Sequence, residues 1–326
     1  MGNKVGWIVA GALLAVVAVV FLLWVVFPQP SEPTPATRGV GALDLMAVNV
    51  PLKDVVGSEP AGEGNAADDY HKAVELYQAH ADEIDKALEG DNLPGMMLVE
   101  TLKEIHQLVA AGATKRSMQY TLVYEPRQME VRFSWQPDPA DALADVAEAL
   151  GLLARQQASK GNHAQAEATL QSALVLGWHM AEARERPYMV LRGFDAQGQS
   201  LVRLLDVYKA WGPERADRQA VAERYLQSLR RVSERYEAKT RLFRSLPPNP
   251  GDIFNIIEHD GDRSCRVQGL LVLGIVKFAV SGRGDLRYAG KLMDRFAASR
   301  DPLEAGAAKA AKDLTREQYR ALGTNY

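Results

Sequence analysis

The chain has 326 residues, with 38 basic and 41 acidic side chains, a formal net charge of −3 and one cysteine. That near-balance gives no general attraction for nucleic acid, and a lone cysteine excludes a scaffold stapled by intramolecular disulfides. With the first 37 residues set aside, about 289 remain, enough for one large or two ordinary domains.

After a short start at 1–4, residues 5–27 hold no charged side chain and stop at Pro28. As a helix this run covers about 34 Å, slightly more than the hydrocarbon core of a bilayer, and Trp7 and Trp24 fall where ring side chains suit the two interfaces. It reads as a single-pass transmembrane signal-anchor embedded in the lipid bilayer. Lys4 and the amino terminus precede it and the first basic residue beyond it is Arg38, which places the amino terminus in the cytoplasm. The bulk of the chain is then periplasmic or extracytoplasmic, on a bacterial inner membrane. A cleaved export signal is the competing reading, with Thr34-Pro35-Ala36 downstream. The length of the run and Pro28, Pro30, Pro33 and Pro35 favour a retained anchor.

Residues 28–65 form a Pro/Gly-rich linker, interrupted by apolar patches at 43–46 and 48–52 that are suited to dock on the body. The helical body begins at 66. Tyr70, Val74, Tyr77, Ala81, Ile84 and Leu88 recur at spacings of three and four and predict one helix over 69–89, stopped by Gly90. Leu98, Leu102, Ile105 and Val109 predict a second, starting after Pro94 and ended by Gly112. Over 118–135 the period changes to two, through Tyr120, Leu122 and Tyr124 and then Met129, Val131, Phe133 and Trp135, which predicts a small extended or β-hairpin insertion.

Asp138-Pro139 has the order of a helix cap and first turn, followed by the stripe Leu143, Val146, Leu150 and Leu153. The turn Lys160-Gly161-Asn162-His163 leads into Ala166, Leu170, Ala173 and Leu174. Over 147–180 this resembles one tetratricopeptide repeat, with Leu150, Leu153 and Ala154 on the first helix, Gly161 in the turn and Ala166, Leu170 and Ala173 at the close-contact positions of the second. Trp178 stands where that family commonly has proline, and no second copy follows in register. Further helices are predicted over 187–210, where Gly193 and Gly198 mark a close crossing or a kink, and over 214–243, ended by the run 246–251. A C-terminal helical subdomain at 252–326 carries Val267, Leu270, Leu271, Gly274, Ile275 and Phe278 on one apolar face. Residues 262–275, Asp301-Pro302, Ala308 and Ala311 loosely resemble HEAT-like repeats, and Leu314, Tyr319 and Leu322 predict a short terminal cap. The expected architecture is therefore all-α: an anchor, then an irregular antiparallel helical-repeat-like body over 66–246, then the subdomain.

No zinc pattern, phosphate loop or nucleophile elbow occurs, so no cofactor or metal is expected. Glu258, His259, Asp260 and Asp262 are the densest acid–base candidates, and they carry the alternative reading of a cell-envelope hydrolase; as a structural role, Asp262 suits a helix cap. Cys265 precedes an apolar run and is expected to be buried. Charge is unevenly placed: 4 basic and 14 acidic side chains over 44–113, against 14 basic and 9 acidic over 180–244. The leading expectation is a protein-interaction or assembly scaffold with a membrane or envelope protein partner. Its contact candidates are Arg224, Arg230, Arg231 and Arg235 on the basic helix, with Tyr120, Tyr124 and Trp135 as apolar anchors.

Overall fold

The computed structural model describes residues 48–90, 94–120, 122–125, 130–133, 139–183, 186–241, 250–275 and 283–321. Among them are twelve α-helices, one 3-10 turn and four short strands, so the all-α expectation is met in outline. No helix of the described residues is long and apolar enough to cross a membrane. The expected span at 5–27 lies outside the described residues.

The apolar patch at 48–52 does dock. Val48 and Val50 pack on the body, α1 (Leu52–Val56) buries Leu52 and Val55, and the Asn49 N–H donates to Ser228 Oγ at 2.9 Å. Gln171 Nε2 donates to the Val55 carbonyl at 3.1 Å. A parallel pair follows that periodicity gave no sign of, β1 (Gly62–Asn65) against β2 (Lys115–Ser117). β1 has no apolar side chain; it is made by backbone approach, and a Cβ on Gly62 would lie 2.9 Å from the Thr114 carbonyl oxygen.

Residues 69–89 fall in two helices instead of one, α2 (Ala66–Ala79) and α3 (Ala81–Glu89), broken at His80 with φ −126° and ψ 15°. Asn65 caps α2 by accepting the Ala67 N–H at 3.1 Å. The break lets Tyr77 Oη donate to Asp85 at 2.8 Å and turns Ile84 fully inward. α4 (Met96–Ala113) runs through Gly112, which was expected to end it. Gly112 is instead a place of close approach, since a Cβ there would sit 2.4 Å from the buried Tyr70 ring. The insertion expected near 118–135 contains an antiparallel hairpin, β3 (Leu122–Glu125) with β4 (Glu130–Phe133), Tyr124 opposite Val131.

The centre of the body is α5 (Pro139–Ser159), α6 (His163–Ala183) and α7 (Pro187–Trp211), with α4 also against α6. α5 and α6 are apolar around most of their circumference because neighbours cover them on more than one side. Gly161, at φ 78°, makes the left-handed turn between them. The basic helix α8 (Ala216–Arg241) lies on α7 and on α1. Last come α9 (Pro250–His259), α10 (Arg263–Ile275), α11 (Arg283–Ala297) and α12 (Pro302–Ala321), which share a core around Ile253, Ile257, Leu270, Leu273, Met293 and Ala308. In place of a short terminal cap, α12 is one continuous helix. Asp301 starts it by accepting the Leu303 N–H at 2.9 Å, and Ala311 seats its Cα within 2.8 Å of where a Cβ on Gly274 would stand.

Candidate functional site

α6 and α7 meet through glycine on both sides. A Cβ on Gly193 would lie 2.7 Å from both the Ala181 nitrogen and the Gly177 carbonyl oxygen, and one on Gly177 would lie 2.9 Å from the Gly193 carbonyl oxygen. Of the two roles open to Gly193, a close crossing or a kink, the close crossing is present. Gln197, buried beside it, donates from Nε2 to the Gly177 and Gly193 carbonyls at 3.3 Å each, and its Oε1 accepts from Tyr225 Oη at 3.0 Å. One amide thus fastens α6, α7 and α8 at a single point.

Five residues further along α7 the situation reverses. Gly198 has nothing within 4 Å of a Cβ position, and a groove of about 400 Å³ opens there between α7 and α8. Its α7 wall is the row Phe194, Gly198 and Val202, and its α8 wall is Leu226, Leu229 and Arg230. The α7 set is spaced by four and is one ridge of its helix, with the missing side chain at 198 as the gap in it; on α8, Leu229 and Arg230 stand three and four positions beyond Leu226, on the same face. Phe194, Leu226 and Leu229 are buried at the floor, whereas Val202 is 43% exposed. Asp195 and Arg230 stand at the rim. α8 carries 7 basic and 4 acidic side chains, which makes the surface beside the groove net positive.

A second recess, of about 600 Å³, lies between Tyr120, Trp178, His179 and Glu182 on one side and Arg263 and Leu303 of the C-terminal helices on the other. Its floor is fixed by a buried relay. His179 Nε2 lies 2.9 Å from the Lys115 carbonyl oxygen, which can only accept, so the ring proton is on Nε2. Nδ1 then accepts from Tyr70 Oη at 2.7 Å. Burial pushes the His179 pKa down to about 4, in keeping with a neutral ring, and raises that of Tyr70. Lys115 Nζ meets Asp69 at 2.7 Å. Both recognition capacities of the imidazole are thus used to hold β2 against α2 and α6.

The sequence candidates divide among these places. Arg224, Arg230, Arg231 and Arg235 are all exposed along α8, and Arg230 lines the groove. Tyr120 is half-buried at the other recess; Tyr124 lies on β3, and Trp135 is outside the described residues. The 258–262 turn is held by structural partners. Glu258 accepts from Tyr288 Oη and pairs with Arg295 at 3.3 Å. Asp260 pairs with Lys239 at 2.5 Å, and Asp262 accepts the Ser264 N–H at 2.8 Å as the cap of α10. His259 is exposed and 3.9 Å from Glu258. Cys265 is fully buried, and burial with the nearby Asp262 pushes its thiol up to about 12, which keeps it from acting as a thiolate. Among the described residues no three His, Cys, Asp or Glu side chains are gathered as metal ligands.

The basic helix was visible from composition, but the groove beside it was not. The clue to it is a glycine within an apolar row, which sequence alone reads equally as a crossing or a kink. The Tyr70–His179 relay joins residues 109 positions apart and left no local trace. The chain matches no protein-family model, no curated protein and no solved structure.

Proposed function

We propose that the chain is a membrane-anchored interaction or assembly scaffold. Residues 5–27 would hold it in a bacterial inner membrane with the amino terminus inside, and the helical body would stand on the extracytoplasmic side. In this reading the α5–α6 pair serves as a tetratricopeptide-like hairpin and α9–α12 as a HEAT-like group, both forming a rigid support. The working surface is the α7–α8 groove, and its occupant is an apolar segment with acidic flanks on a partner protein.

The observation that carries the reading is the groove's composition: an apolar floor from Phe194, Leu226 and Leu229, open at Gly198, beside the exposed Arg224, Arg230, Arg231 and Arg235. Apolar area supplies affinity, and the arginines favour acidic partners and speed encounter. The 258–262 carboxylates, each engaged by a structural partner, lend no comparable support to a hydrolytic role.

The test is a photo-crosslinking residue placed at Val202 of the full-length chain in intact cells, with the product mapped by mass spectrometry. The expected product joins Val202 to an acidic, apolar segment, and its yield falls at least tenfold with Arg230→Glu and Arg231→Glu in a chain of unchanged melting temperature. Absence of any Val202 product overturns the reading.

A further inference from the structure

The acidic half of the molecule carries a feature that its own core does not use. Met96 and Met97 open α4 and are 85% and 88% exposed, while Leu98, Val99 and Leu102 immediately after them are buried. The tip is held firmly, because buried Gln156 of α5 donates from Nε2 to the Pro94 carbonyl at 2.9 Å. Glu100, paired with Lys103 at 2.8 Å, and Glu104 are exposed and share a helix face with the methionines, and exposed Glu89 ends α3 before them. The start of α4 is thus an apolar point flanked by carboxylates in excess over Lys103.

This complements the α7–α8 groove in apolar character and in net charge. The groove offers an apolar floor and about 400 Å³, room for two unbranched thioether side chains, which adapt to irregular walls. Its α7 rim carries Asp195, while its α8 margin is Arg230 with Arg231 and Arg224 beyond, a net positive edge opposite in sign to Glu89, Glu100 and Glu104. Both surfaces are built on helices whose apolar faces are packed into the body, so little ordering is needed when they meet. We infer that the segment seated in the groove is the Met96–Met97 tip of a second copy of this chain. The inference rests on the function proposed above and names its partner. Because tip and groove are different patches, the contact is head-to-tail. Each added copy leaves one tip and one groove free, so the assembly closes as a ring or extends as a row.

The experiment mixes two differently tagged full-length copies in membranes, one carrying Met97→Cys and the other Val202→Cys, and adds a short bifunctional thiol crosslinker. Cys265 is fully buried and out of its reach. The expected result is a mixed-tag dimer at least tenfold above either copy alone. It is lost when Arg230→Glu and Arg231→Glu are added to the Val202→Cys copy, and restored by Glu100→Arg and Glu104→Arg in the other. If Val202 crosslinks to a different protein and not to the Met97→Cys copy, the second-copy inference falls while the scaffold reading stands. If Val202 crosslinks to nothing, both fall.

Discussion

Gly193 and Gly198 lie on the same helix, five positions apart, and do opposite things. At Gly193 the absent side chain lets α6 and α7 come into backbone contact, with Ala181 nitrogen and Gly177 oxygen both 2.7 Å from the missing Cβ. At Gly198 the space is left unfilled, and α8 stands off far enough to leave a groove. The difference lies in the facing helix. α6 answers Gly193 with its own Gly177, whereas the α8 residues that line the groove at Gly198 are the larger Leu226, Leu229 and Arg230. At the α6–α7 crossing both helices are small and their backbones meet; at Gly198 one side alone is small, nothing fills the space and a recess is left.

The strongest test of the contrast is Gly193→Ala. The added methyl meets backbone on α6, which cannot rotate aside as a side chain could, so α6 and α7 must separate and Gln197 loses its carbonyl partners. We expect a loss of roughly 3–4 kcal/mol, at the upper end for overpacking, seen as a fall in melting temperature of roughly 10 °C. A loss below about 1 kcal/mol would mean that the crossing is not the tight point of the body.

Much of this body was legible from residue spacing. The stripes on α4, α5 and α8 are strong because each helix presents a continuous apolar face, and period three-to-four is the direct trace of that burial. The hairpin was equally visible in the alternation around Leu122 and Val131. What escaped was set by partners distant in sequence. His80 breaks α2 from α3 although the apolar stripe runs straight through it. Gly112 looked like a stop, yet it serves Tyr70, 42 positions earlier, as a seat for its ring. β1 has no apolar side chain at all and exists through hydrogen bonding to β2. The candidate site was half legible: charge pointed to α8, whereas the groove depends on the one-sided gap at Gly198, which becomes meaningful only beside α8.

The α6 side of the crossing can also be loosened without a bulky substitution. His179 precedes Met180 and Ala181, the residues that crowd Gly193, and it is neutral in the fold with its pKa pushed down by burial to about 4. Below pH 6.5 the unfolded chain takes a proton on this residue that the folded chain refuses until about pH 4. Its contribution is therefore complete above the unfolded value and is lost as pH falls from about 6.5 toward about 4. Linkage gives about 2.5 kcal/mol of lost stability at pH 4.5 relative to neutral pH. Denaturant midpoints across that range should show the loss, and His179→Gln, which can still donate to the Lys115 carbonyl, should remove this part of the pH dependence. An unchanged pH profile in the variant would show that the relay is not what acid disrupts.

The smallest effect on stability is the one that bears most directly on the groove. Gly198→Ala puts a methyl into open space within a helix, where alanine is favoured over glycine by about 1 kcal/mol and the unfolded chain is also less free. The variant should melt slightly higher than the native chain. Gly198→Leu extends the same ridge between Phe194 and Val202 and fills the recess with the chain's own side chain. Because the room is already there, folding should be little changed, within about 1 kcal/mol, while crosslinking from Val202 should disappear. Two substitutions of the same residue type on one helix would then separate the two roles: at 193 loss of the fold, at 198 loss of the partner with the fold kept. If Gly198→Ala destabilised the chain as Gly193→Ala does, α8 would be packed against this face in solution, and the groove could not be the surface on which a partner is seated.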